Sequence, residues 1–163
     1  MDDDSLNFLQ STPIFGGIDD KILNLIIASS PMISINQGNY FFRENDLADC
    51  MFVLQQGKVE ILKTWRDKEY HLSYLYPGDC FGEMALIDFS PRSASVRAVG
   101  DCLALQLSTS CIDEIHNIDI KQFTILQMNM GREVSRRLRK VDEQLFRAKM
   151  EEKLVKKIIF YSI

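Results

Sequence analysis

From Met32 to Ser108 the chain is cut into short alternating segments by turn-forming residues, and this pattern constrains its fold more than any other. Val59 and Ile61 follow Gly57, and Leu72, Tyr74 and Tyr76 precede Pro77-Gly78-Asp79. Ala94, Val96 and Ala98 alternate with Ser95 and Arg97, while Leu103, Leu105 and Leu107 alternate with Ala104 and Gln106. A period of two marks strands with one buried face. Many short strands at even spacing with glycine turns predict a small barrel or jelly roll over residues 31–110. Asn45, in the RENDL run, stands where a tight turn calls for a left-handed residue, which asparagine tolerates.

The flanks read differently. Residues 1–30 predict a helical pair. Leu6 and Leu9 lie three apart, Pro13 and Gly16-Gly17 break the chain, and Asp19 is placed to cap a second helix carrying Ile22, Leu23, Leu25, Ile26 and Ile27. Residues 111–150 turn helical again. Val134, Leu138, Val141, Leu145 and Ala148 recur at spacings of four, three, four and three, a heptad seam that predicts pairing with a second copy. Around it lie Arg132, Arg136, Arg137, Arg139 and Lys140. Glu133 to Arg137 and Glu143 to Arg147 have the favourable i,i+4 order. The basic run is expected to be a solvated face. The tail, 151–163, is apolar with three lysines and is expected to pack within the chain.

At 163 residues the chain suits one domain of 1–150 plus that tail, and 46% hydrophobic with 26% charged residues is an ordinary globular balance. A net charge of −4 argues against nucleic acid as the partner of the whole chain. The acidic opening MDDDSLNF is unlike a secretory signal, and no apolar run is long enough to span a bilayer, so a cytoplasmic location is expected. Cys50, Cys80, Cys102 and Cys111 show no CxxC spacing and are expected to be free, inert thiols.

The chemistry concentrates in FGEMALIDFSPRSAS, Phe81 to Ser95. Gly82 lets backbone approach a ligand closely. Glu83 opens a short helix-prone run whose first N–H groups, around Met84 and Ala85, would face an anion. Arg92, nine residues after Glu83, offers paired donors to phosphate oxygens, and Ser93 adds a hydroxyl. Each residue alone has an ordinary structural explanation: a turn glycine, a glutamate at a helix dipole, a loop arginine, a serine closing its own turn. Together, in this order, they suit an anionic sugar phosphate, with the carboxylate on a ribose hydroxyl. The residues point to a cyclic nucleotide.

This segment resembles the phosphate-binding cassette of cyclic nucleotide-binding domains, the family of bacterial cAMP receptor proteins and protein kinase A regulatory subunits. GNYFFREND is similar to the family's first turn, QQGKVEIL to its glycine-led strand, YLYPGDCFGE to the approach to the cassette, and MGREVSRRLRK to helices of bacterial members. The resemblance runs over residues 12–150. It implies a mainly β fold, a double-stranded β-helix between an N-terminal helical pair and a long C-terminal helix. It also implies that Glu83 holds the ribose 2′-hydroxyl and Arg92 the cyclic phosphate, with Gly82, Met84, Ala85, Ser93 and Ala94 completing the shell. Ile61 and Leu72 would flank the purine. On the long helix, Arg137, Val141 and Asp142 fall near the base. Val141 replaces a hydroxyl that bacterial members use to read adenine, so cyclic AMP is expected before cyclic GMP with the base reading left open.

The implied function is a sensor whose ligand moves the C-terminal helix and signals to another protein, without catalysis, cofactor or metal. His71 and His116 are too isolated for a metal site. Two alternatives are a ligand-independent dimerisation scaffold and the truncated sensor domain of a cAMP-responsive transcription regulator. A helix-turn-helix output is not expected, because only about a dozen residues follow position 150.

Overall fold

The computed structural model describes the backbone from Asp3 to Tyr161 and side chains over 4–153. The chain forms two compact units, one ending at Asn129 and one beginning at Met130.

In the first unit, α1 (Asp3–Ser11), a 3-10 turn (Pro13–Phe15) and α2 (Asp20–Ser29) lead into eight strands. These are β1 (Met32–Ile35), β2 (Tyr40–Phe42), β3 (Cys50–Gln56), β4 (Val59–Trp65), β5 (Lys68–Leu75), β6 (Cys80–Phe81), β7 (Ser95–Ala98) and β8 (Cys102–Ser108). A short helix, α3 (Glu83–Asp88), interrupts them, and α4 (Thr109–Ile118) and α5 (Ile120–Tyr161) follow. Two antiparallel four-stranded sheets result, in the orders β1-β8-β3-β6 and β2-β7-β4-β5. The roll and its flanking helices match the fold expected from the sequence. Among the described residues, no helix is long and apolar enough to cross a membrane.

In the first sheet the inner strands β3 and β8 are largely buried on both faces, which alters the expected alternation, while edge strand β1 stays partly exposed. Cys50, Phe52 and Leu54 point into the roll with Phe81, Val96 and Ala104. Met51 and Val53 lie on the other face, opposite Leu107 and Leu105. All four of those are buried, and α4 packs on β8 and α2. Ala104, on the roll-facing side, is therefore as buried as Leu105 and Leu107 on the helix-facing side.

In the second sheet the pairing slips between Ile61 and Leu62: Ile61 faces Ser73, and Leu62 faces His71. Leu72 is the extra residue of this bulge and is 57% exposed on an edge strand. Val59 and Leu62 are buried, while Ile61 packs partly against the core. Tyr76 lies beyond β5.

Asp19 occupies the expected cap position of α2, but its side chain makes no capping bond. Its backbone N–H instead donates to Gln122 Oε1 of α5 at 2.9 Å. Asn129 Nδ2 donates to the carbonyls of Ile14 and Gly16 at 3.0 and 2.8 Å. The N-terminal turns and the first part of α5 are thus joined by directional bonds as well as apolar contact.

In the second unit the expected ion pairs are present, with Arg137 Nε 2.9 Å from Glu133 and Arg147 Nε 2.9 Å from Glu143. Leu138, Val141 and Leu145 are at least half exposed. The side chains of 154–163, on which most of the tail expectation falls, lie outside the described residues.

Gly57 joins β3 to β4 at φ 89°, and an added Cβ would stand 2.4 Å from the Asp101 carbonyl oxygen. Gly57→Ala combines left-handed strain with a backbone clash and should cost about 2–4 kcal/mol. Gly100→Ala, where a Cβ meets nothing within 4 Å, should be nearly neutral. Urea midpoints of the two variants check the contrast.

Candidate functional site

Three segments meet at Arg92. Pro91 and Arg92 leave the turn after α3 and run past the β2–β3 connection, where Asn45 N–H donates to the Arg92 carbonyl and Arg92 N–H to the Asp46 carbonyl, both at 2.9 Å. Asn45 has φ 70°, the left-handed turn expected of it. Nearby, Glu44 N–H donates to Ser95 Oγ at 2.9 Å, and Lys63 Nζ pairs with Glu44 and donates to the Ser93 carbonyl at 2.7 Å. The Lys63 ammonium and then the Thr64 N–H, both bonded to the Glu44 carboxylate, hold it below the usual carboxylate range.

The Arg92 side chain turns inward and is 4% exposed. Its Nη1 donates to the Gly82 carbonyl at 3.0 Å, and its Nη2 lies 3.5 Å from Cys50 Sγ. The guanidinium carbon sits 4.0 Å over the Phe42 ring. Nε has no hydrogen-bond partner. A buried guanidinium keeps its charge, so it favours an anion that reaches it.

Gly82 makes this approach possible. It caps α3 at φ 83°, and a Cβ there would fall 2.5 Å from Arg92 Nη1. Left-handed backbone and close contact together demand glycine. Glu83 follows, first in the helix and 2% exposed, well beyond what a dipole-stabilising surface glutamate needs. By position, the first turn of α3 gives the Met84 and Ala85 N–H groups no intrahelical acceptor. Ala85 is buried and the Met84 side chain is exposed. Ser93 is exposed with Oγ 3.9 Å from Met84 Sδ, and Ala94 is half-buried.

The structure therefore brings Gly82, Glu83, Ala85 and Arg92 into one neighbourhood of the roll, with Met84 and Ser93 at its surface. Ile61 lies against the core on β4, and Leu72 on β5. Arg137, Val141 and Asp142 belong to the second unit, where Arg137 is ion-paired and the other two are exposed. A cavity of about 360 Å³ opens beside Arg92, lined also by Phe42, Cys50 and Phe52 but not by Glu83, Ala85, Ile61 or Leu72.

The sequence reading missed Phe42, Cys50 and the Glu44–Lys63 clasp. An aromatic two residues after a turn asparagine's strand begins carries no local signal that it will lie under an arginine fifty residues away. None of the four cysteines is in a disulfide, and all are buried. Burial pushes the Cys50, Cys102 and Cys111 thiols up, with Arg92 partly opposing this at Cys50. Among the described residues, no cluster of three His, Cys, Asp or Glu side chains could hold a metal ion.

Known proteins share this sequence pattern and this fold. The cyclic AMP receptor protein of Thermus thermophilus is 30% identical over 145 residues, covering 88% of this chain and 65% of its own length. The regulatory domain of Toxoplasma gondii PKA, co-crystallised with cAMP, is 28% identical with a TM-score of 0.65, over 69% of this chain and 43% of that one. A cyclic nucleotide-binding domain from Methylobacillus flagellatus shares the fold with a TM-score of 0.78 at 18% identity, over 88% of this chain and 82% of that one. The chain thus spans just under two thirds of the first relative and less than half of the second. Residues 32–119, from the first strand to the end of α4 and including the whole cassette, match the family described as the cyclic nucleotide-binding domain, and the chain belongs to that family.

Proposed function

We propose that this chain is a cyclic nucleotide receptor, with cyclic AMP its preferred ligand, in which residues 1–150 act as one sensing domain and 151–163 as an appended tail. The observation that carries this reading is the buried guanidinium of Arg92 held against Gly82 at the start of α3. In the proposed complex Arg92 and Ser93 take the cyclic phosphate with the Met84 and Ala85 N–H groups. Glu83 accepts from the ribose 2′-hydroxyl, and Ile61 and Leu72 flank the base. Membership of a regulatory binding family supports a role without catalysis, in which ligand binding biases the helix that begins at Ile120 and a partner protein reads the change.

Arg92→Ala should weaken cyclic AMP binding by ~2–5 kcal/mol, because a charge-assisted pair is lost in a partly dry site. Arg92→Lys should recover part of this, since an ammonium cannot reproduce the planar fork. Calorimetric titration of the three proteins with cyclic AMP and cyclic GMP measures this and the base preference together. Equal affinity in the wild type and Arg92→Ala would remove the assignment.

For the sugar, 2′-deoxy cyclic AMP should bind the wild type less tightly than cyclic AMP, and Glu83→Gln should shrink that difference. Hydrogen bonds to a charged acceptor are typically worth ~1.5–3 kcal/mol and neutral ones about 1. A cycle of the two proteins and two ligands that shows no coupling would return Glu83 to a purely structural part.

The seam Val134, Leu138, Val141, Leu145, exposed at all but Val134, supports a parallel homodimer through α5. Leu138→Asp combined with Leu145→Asp should give a folded monomer with altered nucleotide affinity, because dimer contact and ligand are linked. Sedimentation velocity with and without nucleotide reads this. A wild type that stays monomeric well above the binding concentrations excludes the dimer.

A further inference from the structure

Apart from Arg92, the lining of the cavity beside it lies outside the cassette, and its composition is that of a ligand site. Ile33, Phe41 and Phe52 form an apolar wall, and exposed Asp49 and half-buried Gln106 add polar groups. A volume of about 360 Å³ falls at the small end of organic-ligand pockets. Leu47, also lining it, is 91% exposed, an apolar side chain displayed at an opening rather than used in the core.

We propose that this cavity is a second ligand site, for a small neutral aromatic alcohol of one or two rings, coupled to the nucleotide site through Arg92. The aromatic preference comes from the wall. Phe41 meets Phe52 edge-on at 5.2 Å, and Phe42 stacks near Phe52 at 6.1 Å, so a further ring extends an existing cluster. Neutrality comes from charge. Asp46 and Asp49 stand against the single cation Arg92, so a carboxylate or phosphate would meet net negative charge and an ammonium would meet the guanidinium. A hydroxyl suits both signs, because it can accept from Arg92 or Gln106 and donate to Asp49.

The coupling rests on the reading of Arg92 as the phosphate residue. The guanidinium already touches Phe42 and Cys50, both of which line the cavity, while Nη1 is engaged with Gly82 on the cassette side. The Arg92 backbone is also bonded to Asn45 and Asp46, and Asp46 is part of the cavity lining. An occupant that engages Arg92 from this side withdraws donors from the phosphate, so the two ligands oppose one another by the same factor in both directions.

The test titrates the full chain with 2-naphthol by calorimetry and by amide NMR shifts, alone and with cyclic AMP. Saturable binding that shifts Ile33, Cys50 and Gln106, and weakens cyclic AMP about threefold, is expected. Ile33→Trp, which fills the cavity, should weaken 2-naphthol at least tenfold. Asp49→Ala, at an exposed position that leaves the core intact, should weaken it about threefold even if the tryptophan variant fails to fold. Absence of saturable binding, or binding that neither variant changes, overturns the site. Binding blocked by the variants without any change in cyclic AMP affinity overturns the coupling. If 2-naphthol binds as expected but no cyclic nucleotide binds the wild type, the reading of the cassette and the coupling both fall while the cavity site stands.

Discussion

A guanidinium that is 4% exposed cannot shed its charge, so the chain around Arg92 has to compensate it wherever it goes. In the structure it does so with one carbonyl, one thiol and the face of one ring. None of these is an anion. A carboxylate in direct contact would neutralise the charge permanently and compete with any phosphate. Neutral, polarisable partners hold the side chain in place, and the carboxylates of Asp46 and Asp49 line the cavity beside it. This arrangement supports the anion-binding role proposed for Arg92.

The roll exists in a form that permits this. Arg92 lies between the β2–β3 connection and α3, which are far apart in sequence, and backbone bonds from Asn45 and to Asp46 fix its main chain. The left-handed turn at Asn45 is what aims its N–H at the Arg92 carbonyl. On the other side, Gly82 has to be glycine twice over, for its φ of 83° and for the 2.5 Å gap that a Cβ would close. Position and conformation at these points are therefore set by the same few bonds. A substitution at any of them would be felt in stability and in ligand affinity together.

Much of this was legible in the sequence where the signal is local. Period-two segments and glycine turns located the strands, and the turn chemistry of Asn45 and the order Gly82, Glu83, Arg92, Ser93 marked the cassette. The illegible features are those that depend on partners distant in the chain. Ala104 is buried because it faces the roll interior, while helices cover the Leu105 and Leu107 face of the same sheet, which no count of apolar positions in β8 reveals. Leu72 is exposed because a bulge opposite Ile61 and Leu62 inserts one residue, and a single insertion turns a side chain from one face to the other. Phe42 and Cys50 read as ordinary core residues, and they are, but they also form the bed of Arg92. The Asp19 cap was right in place, but its side chain makes no capping bond, and its backbone N–H meets Gln122, a partner 103 residues away that no local signal announces.

That last exchange bears on how a signal could leave the roll. An aspartate side-chain cap would have closed α2 on itself. Instead, Asp19 N–H reaches α5, and Asn129 donates to two carbonyls of the turn that follows α1. Apolar packing alone tolerates sliding, because it is non-directional. Buried hydrogen bonds do not, since a small displacement leaves polar groups unsatisfied at a cost of about 1–3 kcal/mol each. The opening turns of α5 are consequently held to the N-terminal segment in a register that resists sliding. A change in the packing of that segment against the roll would either leave the register intact or break it, and elements with two such arrangements are what allow binding in one place to be read in another.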